Sequence, residues 1–155
     1  MAEEQATQKG KNLTFNVDNE IYGFEIKYVR QIISLQEVTP MPDQPRYIKG
    51  VVNLRGQIIP VMDIRLKLLK KEREYDDRTC IVVLDIDELS MGVIVDRVSE
   101  VIEIADENIT DAPEFGHDIR EHYIRGIGKV NDKIVILLDC RKLTKHDENY
   151  LKIEQ

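Results

Sequence analysis

The histidines and cysteines are the side chains of this sequence best suited to bind a metal ion, and there are few of them. The histidines are His117, His122 and His146, and the cysteines are Cys80 and Cys140. A separation of five places His117 and His122 on different faces of a helix, unlike the ligands of a zinc site. Each cysteine stands alone in an apolar run, without a CxxC pair. We therefore expect buried thiols, no metal and no cofactor.

Carboxylates that recur in the chain are the next candidates for chemistry. Asp63 and Asp139 each end an apolar run and are followed two places later by an arginine. Acid–base catalysis is conceivable there, but a carboxylate before a short helical segment more often accepts hydrogen bonds from free backbone N–H groups. Asp96 follows the apolar run GVIV, and the sequence shows no second carboxylate or other partner for it. We therefore expect Asp96 to be a solvated residue at the end of a strand. These aspartates predict helix caps and a surface group.

The motifs of common catalytic sites are missing. The sequence contains no GxSxG motif for an activated serine, no P-loop and no GxGxxG dinucleotide motif. No pair of carboxylates stands in contrasting environments, as acid and base roles would require. The sequence therefore predicts that the protein is not an enzyme.

The composition of the chain limits the kinds of molecule that the protein is expected to bind. Among the 155 residues, 42% are hydrophobic and 33% are charged, and the net charge is −7. This negative charge disfavours nucleic-acid binding. No apolar run approaches the roughly 18 residues of a membrane span, and the first residues lack the apolar core of a secretory signal. We expect a cytoplasmic protein with no membrane insertion of its own.

The chain contains a duplication, which must position any site. Residues 47–65 match residues 123–141 at an offset of 76, pairing YIKG with YIRG and one Asp-x-Arg with another. A second pairing matches residues 22–33 with 91–102 at an offset of 69. The difference between the offsets predicts a longer connection in the second half, within ENITDAPEFGHDIREH.

Within each copy the apolar residues alternate with polar ones, as in half-buried strands. Leading hairpins are predicted with turns at Asp18–Asn19 and Asp87–Glu88. Each half then has a second hairpin, at 47–62 and 123–138, and a further strand, near 32–38 and 100–104. Five short antiparallel strands cannot bury both faces of a flat sheet, so we expect each set to curl into a barrel.

The predicted architecture is mainly β, with two five-stranded barrels packed together and a short C-terminal helix. The barrels span about 12–69 and 78–145, joined by the charged linker KKEREYDD, and exchange of strands between them is left open. Residues 1–11 are predicted to be a flexible N-terminus and residues 146–155 a C-terminal helix or tail. A helical turn is also expected at 63–69.

The tips of the two second hairpins differ. The later copy has Asn131 and Asp132, which suit a tight turn, whereas the earlier copy has Arg55 and Gly56. Glycine serves the turn, but arginine does not. An exposed guanidinium is suited to bidentate contact with a carboxylate of a partner or of a neighbouring segment, the alternative being a merely solvated tip.

The run VTPMPDQPRYIKGVVNLRGQIIPVMDIR, with the later MGVIVDRVSEVI and APEF, resembles the CheW family of bacterial chemotaxis coupling proteins. The resemblance covers roughly residues 12–145. It implies two SH3-like barrels and a non-catalytic adaptor or scaffold. The implied partners are the regulatory domain of the histidine kinase CheA, the cytoplasmic tips of methyl-accepting chemoreceptors and other CheW-like domains in array rings. Recruitment to membrane-associated receptor arrays through protein contacts is also implied. The alternative is a small-molecule-binding or enzymatic double barrel with its site between the barrels.

The resemblance also implies two interaction surfaces. The receptor-facing groove would use Val29, Gln31, Ile32, Arg55, Gly56, Val98 and Val101, although barrel core is the alternative role for the valines. Many family members have glutamate at the position of Gln31, which can pair with the arginine of the tip. Here that ion pair is lost or moves to Glu25 or Glu37.

The kinase-facing surface would use Lys49, Glu114 and Phe115. Phe115 is an aromatic side chain in the polar connection of the second half, the type of anchor that fills a pocket on a partner. Lys49 has the alternative role of a basic residue that flanks its strand, because its counterpart in the duplication is Arg125.

Overall fold

The structure is a computed structural model that describes residues 9–111 and 122–145. Over these residues the chain forms eleven strands in two sheets, with two short helices. The predicted fold class, mainly β with two packed barrels of short strands and a short C-terminal helix, is confirmed. The sheets have six and five strands instead of five each, because a two-residue strand in the longer connection of the second half adds to one sheet.

The elements follow in chain order. The strands are β1 (Lys11–Val17), β2 (Glu20–Glu25), β3 (Val29–Ser34), β4 (Ile48–Leu54), β5 (Gln57–Asp63), β6 (Cys80–Ile86), β7 (Leu89–Val95), β8 (Arg97–Glu103), β9 (Ile109–Thr110), β10 (Ile124–Val130) and β11 (Lys133–Leu138). The helices are α1 (Ile64–Lys67) and α2 (Cys140–Lys145), and single 3-10 turns occupy Ile26–Tyr28 and Asp106–Asn108.

The turns of the leading hairpins lie where the sequence predicted them, at Asp18–Asn19 and Asp87–Glu88. The third strand of each half starts about three residues earlier than expected. β3 includes Arg30, and β8 begins at Arg97. Both are edge strands that expose polar side chains, so the apolar alternation used to place them is weak at their starts.

Each sheet is built from both halves of the chain. The six-stranded sheet has the order β8-β1-β2-β11-β10-β9, and the five-stranded sheet has the order β3-β6-β7-β5-β4. The leading hairpin of each half therefore lies in the sheet that holds the other half's remaining strands. Parallel pairing of β2 with β11 and of β5 with β7 joins the exchanged pieces. The sheets consequently do not coincide with residues 12–69 and 78–145.

Three buried apolar clusters explain which positions of the strands carry apolar residues. The central core lies between the sheets and includes Phe15, Phe24 and Leu84. The five-stranded sheet curls around its own cluster, which includes Ile81 and Val83. The strand β6 therefore contributes alternate side chains to two clusters and is buried on both faces, which accounts for its nearly unbroken apolar run.

The interior of the six-stranded barrel is more polar. Its apolar cluster contains Ile104, Val135 and Leu137. On β1, the face opposite the central core carries Asn12 and Thr14, both buried. The Thr14 hydroxyl donates to the Glu100 carbonyl at 2.7 Å, where the register between β1 and β8 shifts. The two barrels thus share a topology but differ in interior chemistry.

The glycine of the repeated YIKG segment has a steric cause. Gly50 has a φ of +144°, and a Cβ built there would lie 2.0 Å from the Thr39 carbonyl oxygen. Thr39 forms a bridge with Val51 at this point. In the other sheet, Thr110 pairs with Ile127, the repeat equivalent of Val51. Any side chain at Gly50 would separate the strands that close the barrel.

Candidate protein-interaction surfaces

The recurring aspartates cap helices. Asp63 Oδ1 accepts from the Arg65 backbone N–H at 2.9 Å, and Asp139 Oδ1 accepts from the Lys142 N–H at 3.0 Å. The expected capping role is confirmed at both positions. Asp63 Oδ2 also accepts from the Tyr75 hydroxyl at 2.7 Å. Burial and this carboxylate together raise the pKa of Tyr75, so the phenol stays protonated.

Asp96 is not the solvated strand end that the sequence suggested. Its side chain is 12% exposed, and Oδ2 accepts from Arg65 Nη1 at 2.9 Å and from Arg73 Nη1 at 3.0 Å. The expectation was wrong because Arg65 follows β5 and reaches Asp96 through the packing of the fold, which sequence spacing does not reveal. Asp96 therefore belongs to a structural ion-pair network.

The predicted receptor-facing valines and isoleucine lie on the two edge strands. On β3, Val29 pairs with Leu84 and Ile32 with Val82, whose side chains face the central core. Paired residues on antiparallel strands point to the same face. Val29 and Ile32 therefore extend the central-core face of the five-stranded sheet to its edge.

The same arrangement recurs on β8. Val98 pairs with Phe15 and Val101 with Leu13, both central-core residues. Val98, like Val29, packs against the central core, whereas Val101 is 50% exposed and Ile32 is 44% exposed. The barrel-core alternative therefore applies to Val98 and Val29, and the receptor-facing role of the four residues stays a prediction. The inner residue of each pair covers the core, and the outer one leaves apolar surface in solvent. We call Val29, Ile32, Val98 and Val101 the edge-strand patch.

Gln31 does not share the face of this patch. A register shift separates it from Val29, and it pairs with Val83, which lies in the core of the five-stranded barrel. Gln31 is half-buried. The structure therefore separates this residue from the other β3 residues of the predicted groove.

The hairpin tip between β4 and β5 has an unusual backbone for its sequence. Arg55 and Gly56 have φ values of +52° and +88°, matching the +47° and +65° of Asn131 and Asp132 in the second copy. The Gly56 N–H donates to Asn53 Oδ1 at 2.8 Å. A left-handed conformation costs a residue with a side chain about 1–2 kcal/mol, which asparagine tolerates better than arginine does. The turn alone does not explain Arg55.

The Arg55 side chain is exposed, and among residues 9–111 and 122–145 it forms no hydrogen bond or ion pair. Of the two alternatives left by the sequence, loss of the ion pair or its transfer to Glu25 or Glu37, the described residues show the loss. Glu25 instead lies 3.6 Å from Lys27 Nζ and 3.5 Å from Arg125 Nε. The guanidinium is therefore available to a carboxylate outside this part of the chain.

Arg30 links the tip to the patch. Its Nη1 donates to Gln57 Oε1 at 3.0 Å, which joins β3 to the first residue of β5. This bond brings the β3 end that carries Val29 next to the hairpin that carries Arg55. Sequence reasoning missed Arg30, and only its place on an exposed edge strand could have suggested the role.

Lys49 is tied to the linker. Its Nζ lies 3.1 Å from Glu72 Oε1, and Arg46 Nη2 lies 3.5 Å from Glu72 Oε2. The hydrogen bond from Lys49 lowers the pKa of the Glu72 carboxyl. The other two predicted kinase-facing residues, Glu114 and Phe115, lie outside the described residues.

Within the described ranges, no group of three histidines, cysteines or acidic residues could hold a metal ion. Cys140 is buried and Cys80 is half-buried, and both are free thiols. Desolvation is the main cause that raises the pKa of each thiol. None of the helices described has the length and apolar character needed to cross a membrane.

Comparison with known proteins identifies relatives over most of the chain. A family profile described as CheW-like domain matches residues 11–148. A Chemotaxis protein CheW of Klebsiella aerogenes is 38% identical over 136 residues, covering 88% of this chain and 82% of that protein. A Chemotaxis protein CheW of Treponema pallidum is 32% identical over 140 residues, with the same coverage of 88% and 82%.

A solved structure has a similar fold. The scaffolding protein TtCheW from Thermoanaerobacter tengcongensis superposes with a TM-score of 0.79 at 32% sequence identity. The similarity covers 86% of this chain and 86% of that one. The agreement extends over both sheets, since it includes most of the described residues. The comparisons give no support to the alternative of an enzymatic or small-molecule-binding double barrel.

Proposed function

Because the chain belongs to the CheW-like domain family, which includes chemotaxis and scaffolding proteins, we propose that it is a non-catalytic chemotaxis adaptor. Its partners are the regulatory domain of the histidine kinase CheA and the cytoplasmic tips of methyl-accepting chemoreceptors. The protein acts in the cytoplasm and reaches membrane-associated receptor arrays through these contacts.

The observation that carries the proposal is the exposed Arg55 beside an apolar edge. Arg55 adopts a left-handed backbone conformation that is unfavourable for arginine, and its side chain forms no hydrogen bond or ion pair with the described residues. On the neighbouring β3, the side chain of Ile32 is exposed to solvent. An amphipathic receptor helix could lay its apolar face on the edge-strand patch and place a carboxylate against the guanidinium. The receptor-facing surface then comprises Val29, Ile32, Arg55, Gly56, Val98 and Val101, with Gln31 supporting β3 from the barrel side.

The kinase-facing surface is proposed to involve Lys49, Glu114 and Phe115. Lys49 lies at the start of β4 on the five-stranded sheet, away from the hairpin tip at the other end of that strand. A separate surface would allow one protein to hold receptor and kinase at once. Two weak contacts on one rigid body raise the effective concentration of each partner for the other, and related CheW-like domains could use the same contacts in rings.

Co-sedimentation of the protein with receptor-bearing membranes, with and without CheA, tests this function. Arg55→Glu should abolish receptor-dependent sedimentation while binding to the isolated regulatory domain of CheA persists. Lys133→Glu is the matched control, because it reverses an exposed charge beside the equivalent hairpin tip of the second copy. Unchanged receptor binding by Arg55→Glu would refute the receptor assignment, and failure of the wild-type protein to bind either partner would refute the adaptor function.

A further inference from the structure

The edge-strand patch has an approximate twofold symmetry that follows from the duplication. The two sheets match strand by strand, with β3, β6, β7, β5 and β4 equivalent to β8, β1, β2, β11 and β10. Val29 and Ile32 of β3 are equivalent to Val98 and Val101 of β8 at the offset of 69. A twofold rotation that exchanges the copies also reverses the direction of a helix that lies across its axis. The apolar residues of the patch alone therefore cannot fix the direction of a bound helix.

A β-bulge interrupts both edge strands at equivalent places. The pairing of β3 with β6 shifts between Val29 and Gln31, so Arg30 is the extra residue of the bulge. The pairing of β8 with β1 shifts at the corresponding point, where Ser99 is the equivalent of Arg30. A bulge turns its extra side chain away from the regular pairing, and Arg30 and Ser99 are both exposed. The same backbone irregularity thus presents a guanidinium in one copy and a hydroxyl in the other.

The Arg30 guanidinium uses one of its three nitrogens within the described part of the chain. Nη1 donates to Gln57 Oε1 at 3.0 Å and lies 3.8 Å from Asp85 Oδ1. Nε and Nη2 form no hydrogen bond or ion pair with the residues that the structure describes. These two nitrogens make up an edge that can bind a carboxylate through two parallel hydrogen bonds. Because Gln57 directly follows the tip, the guanidinium groups of Arg30 and Arg55 flank the same side of the patch.

The two copies differ in charge around the patch. The strand β3 and the tip residues 53–57 contain two arginines and no acidic residue, which gives a net charge of +2. The strand β8 and the equivalent tip residues 129–133 contain three basic and three acidic residues, which gives a net charge of 0. The chain as a whole has a net charge of −7. The side of the patch formed by the first copy is therefore a local site of positive charge on an acidic protein.

On the basis of the receptor-binding role proposed above, we propose that Arg30 and Arg55 together fix the direction in which a receptor helix binds the edge-strand patch. The occupant is an amphipathic helix with carboxylates at one end of its apolar face, and the two arginines hold that end on the side of β3. The reverse direction would place the carboxylates beside the exposed Glu100 and Glu103 and leave both guanidinium groups without an acidic partner. The apolar residues supply contact area, and the arginines supply the direction.

Paramagnetic relaxation measures the direction of the bound helix. A soluble fragment of a chemoreceptor tip carries one nitroxide label, placed in separate samples at the acidic end or at the opposite end of its apolar face. In the wild-type protein we expect the label at the acidic end to broaden the methyl signals of Ile32 several-fold more than those of Val101. The label at the opposite end should do the reverse. Equal broadening of both residues in both samples would show that the helix binds in either direction, and this would overturn the proposal.

Three substitutions separate the charge of Arg30 from its bond to the hairpin. Arg30→Gln should weaken binding of the fragment about fivefold, reduce the dependence of affinity on salt and lessen the difference between the two labels. Gln57→Ala removes the acceptor but keeps the guanidinium, so it should retain affinity and direction. Arg97→Gln is the matched control, because Arg97 is exposed on the other edge strand and also donates to an amide oxygen, that of Asn16, at 3.2 Å. Equal effects of Arg30→Gln and Gln57→Ala would reduce Arg30 to a structural tie and contradict the proposed role.

Transfer of the charges to the second copy tests the direction itself. A variant that combines Arg30→Ser and Arg55→Asn with Ser99→Arg and Asn131→Arg should reverse the pattern of broadening. Binding in the original direction by this variant, with native circular dichroism, would overturn the proposal. Arg30→Gln and the labels on the wild-type complex decide the question if the combined variant does not fold. Failure of the wild-type protein to bind the fragment, including the case in which a second copy of the protein covers the patch, would instead refute the receptor-binding role itself.

Discussion

Arg65 donates to Asp18 between the two sheets at 2.7 Å, and its repeat equivalent Arg141 forms the same ion pair with Asp87, also at 2.7 Å. Each arginine follows the last strand of a second hairpin, and each aspartate occupies a leading-hairpin turn in the opposite sheet. The environments differ. The Arg65 side chain is 7% exposed, whereas that of Arg141 is 55% exposed. The same contact is thus made twice in different surroundings.

This difference predicts unequal costs of removing the two arginines. Arg65→Ala leaves the nearly buried carboxylate of Asp96 without its arginine donor from α1, and should lower the free energy of unfolding by about 2–3 kcal/mol. Arg141→Ala removes an exposed pair and should leave stability unchanged within error. Urea unfolding of both variants measures the difference. Equal losses in the two variants would contradict the importance of burial.

The Asp18 pair also predicts a dependence on pH. The hydrogen bond from Arg65 lowers the pKa of Asp18 below 3.8, so the folded state binds the Asp18 proton more weakly than the unfolded state does. The resulting stability is present above the unfolded pKa and is lost as pH falls through the folded pKa. The stability gap between wild type and Asp18→Asn should therefore shrink between about pH 5 and pH 2. A gap that widened with acidification would have the wrong sign.

The positive φ of Arg55 at the first hairpin tip predicts that a substitution there can raise the stability of the protein while it weakens receptor binding. Arg55→Asn places a residue that tolerates positive φ in the turn and should stabilise the protein by about 0.5–1 kcal/mol while weakening receptor binding. The reciprocal change, Asn131→Arg, should destabilise the protein by a similar amount without changing its receptor binding. Thermal unfolding and co-sedimentation measure both effects. An Arg55→Asn protein that bound receptor normally would show that the guanidinium is dispensable.

Polar substitutions in the edge-strand patch should weaken receptor binding while they change the stability of the protein little. Ile32→Asp and Val101→Asp replace side chains that are already about half exposed, so we expect stability changes within about 1 kcal/mol. Receptor binding should fall at least tenfold, which corresponds to about 1.4 kcal/mol. Ile134→Asp is the matched control, since Ile134 is 64% exposed and lies outside the patch. A comparable loss of binding in that control would show that the patch has no special role.

The exchange of hairpins predicts how fragments behave. Residues 1–77 contain β1–β5, but β1 and β2 need β8 and β11 as neighbours. As monomers, the separately expressed fragments 1–77 and 78–155 should each lack cooperative unfolding, and their mixture should regain the circular dichroism of the intact protein. A fragment that unfolded cooperatively as a monomer would contradict the exchanged topology.

The sequence predicted local structure well, because local structure depends on neighbouring residues. The turn at Asp18–Asn19, the matching turn at Asp87–Glu88 and the capping role of Asp63 all follow from short patterns and agree with the structure. The duplication further predicted that such features would occur twice. In each of these cases the residues that determine the turn or the cap lie within a few positions of it in the sequence.

Long-range partners could not be predicted in this way. The partner of Asp96 is Arg65, 31 residues away, and the hydrogen bond from Arg30 to Gln57 spans 27 residues. The sequence also left open which half supplies each hairpin, because the alternation of apolar residues is the same in either arrangement. Gln31 was grouped with Val29, although the register shift between them places Gln31 on the other face.

The reciprocal arrangement of hairpins has a consequence for the origin of this fold. A polypeptide with only one of the halves could complete its sheets by trading leading hairpins with an identical molecule, which would give a domain-swapped homodimer with twofold symmetry. Fusion of two such genes would make the trade intramolecular and independent of concentration. Only after that step could one position become Arg55 and its twin Asn131, because a symmetric assembly must present the same residue at both tips.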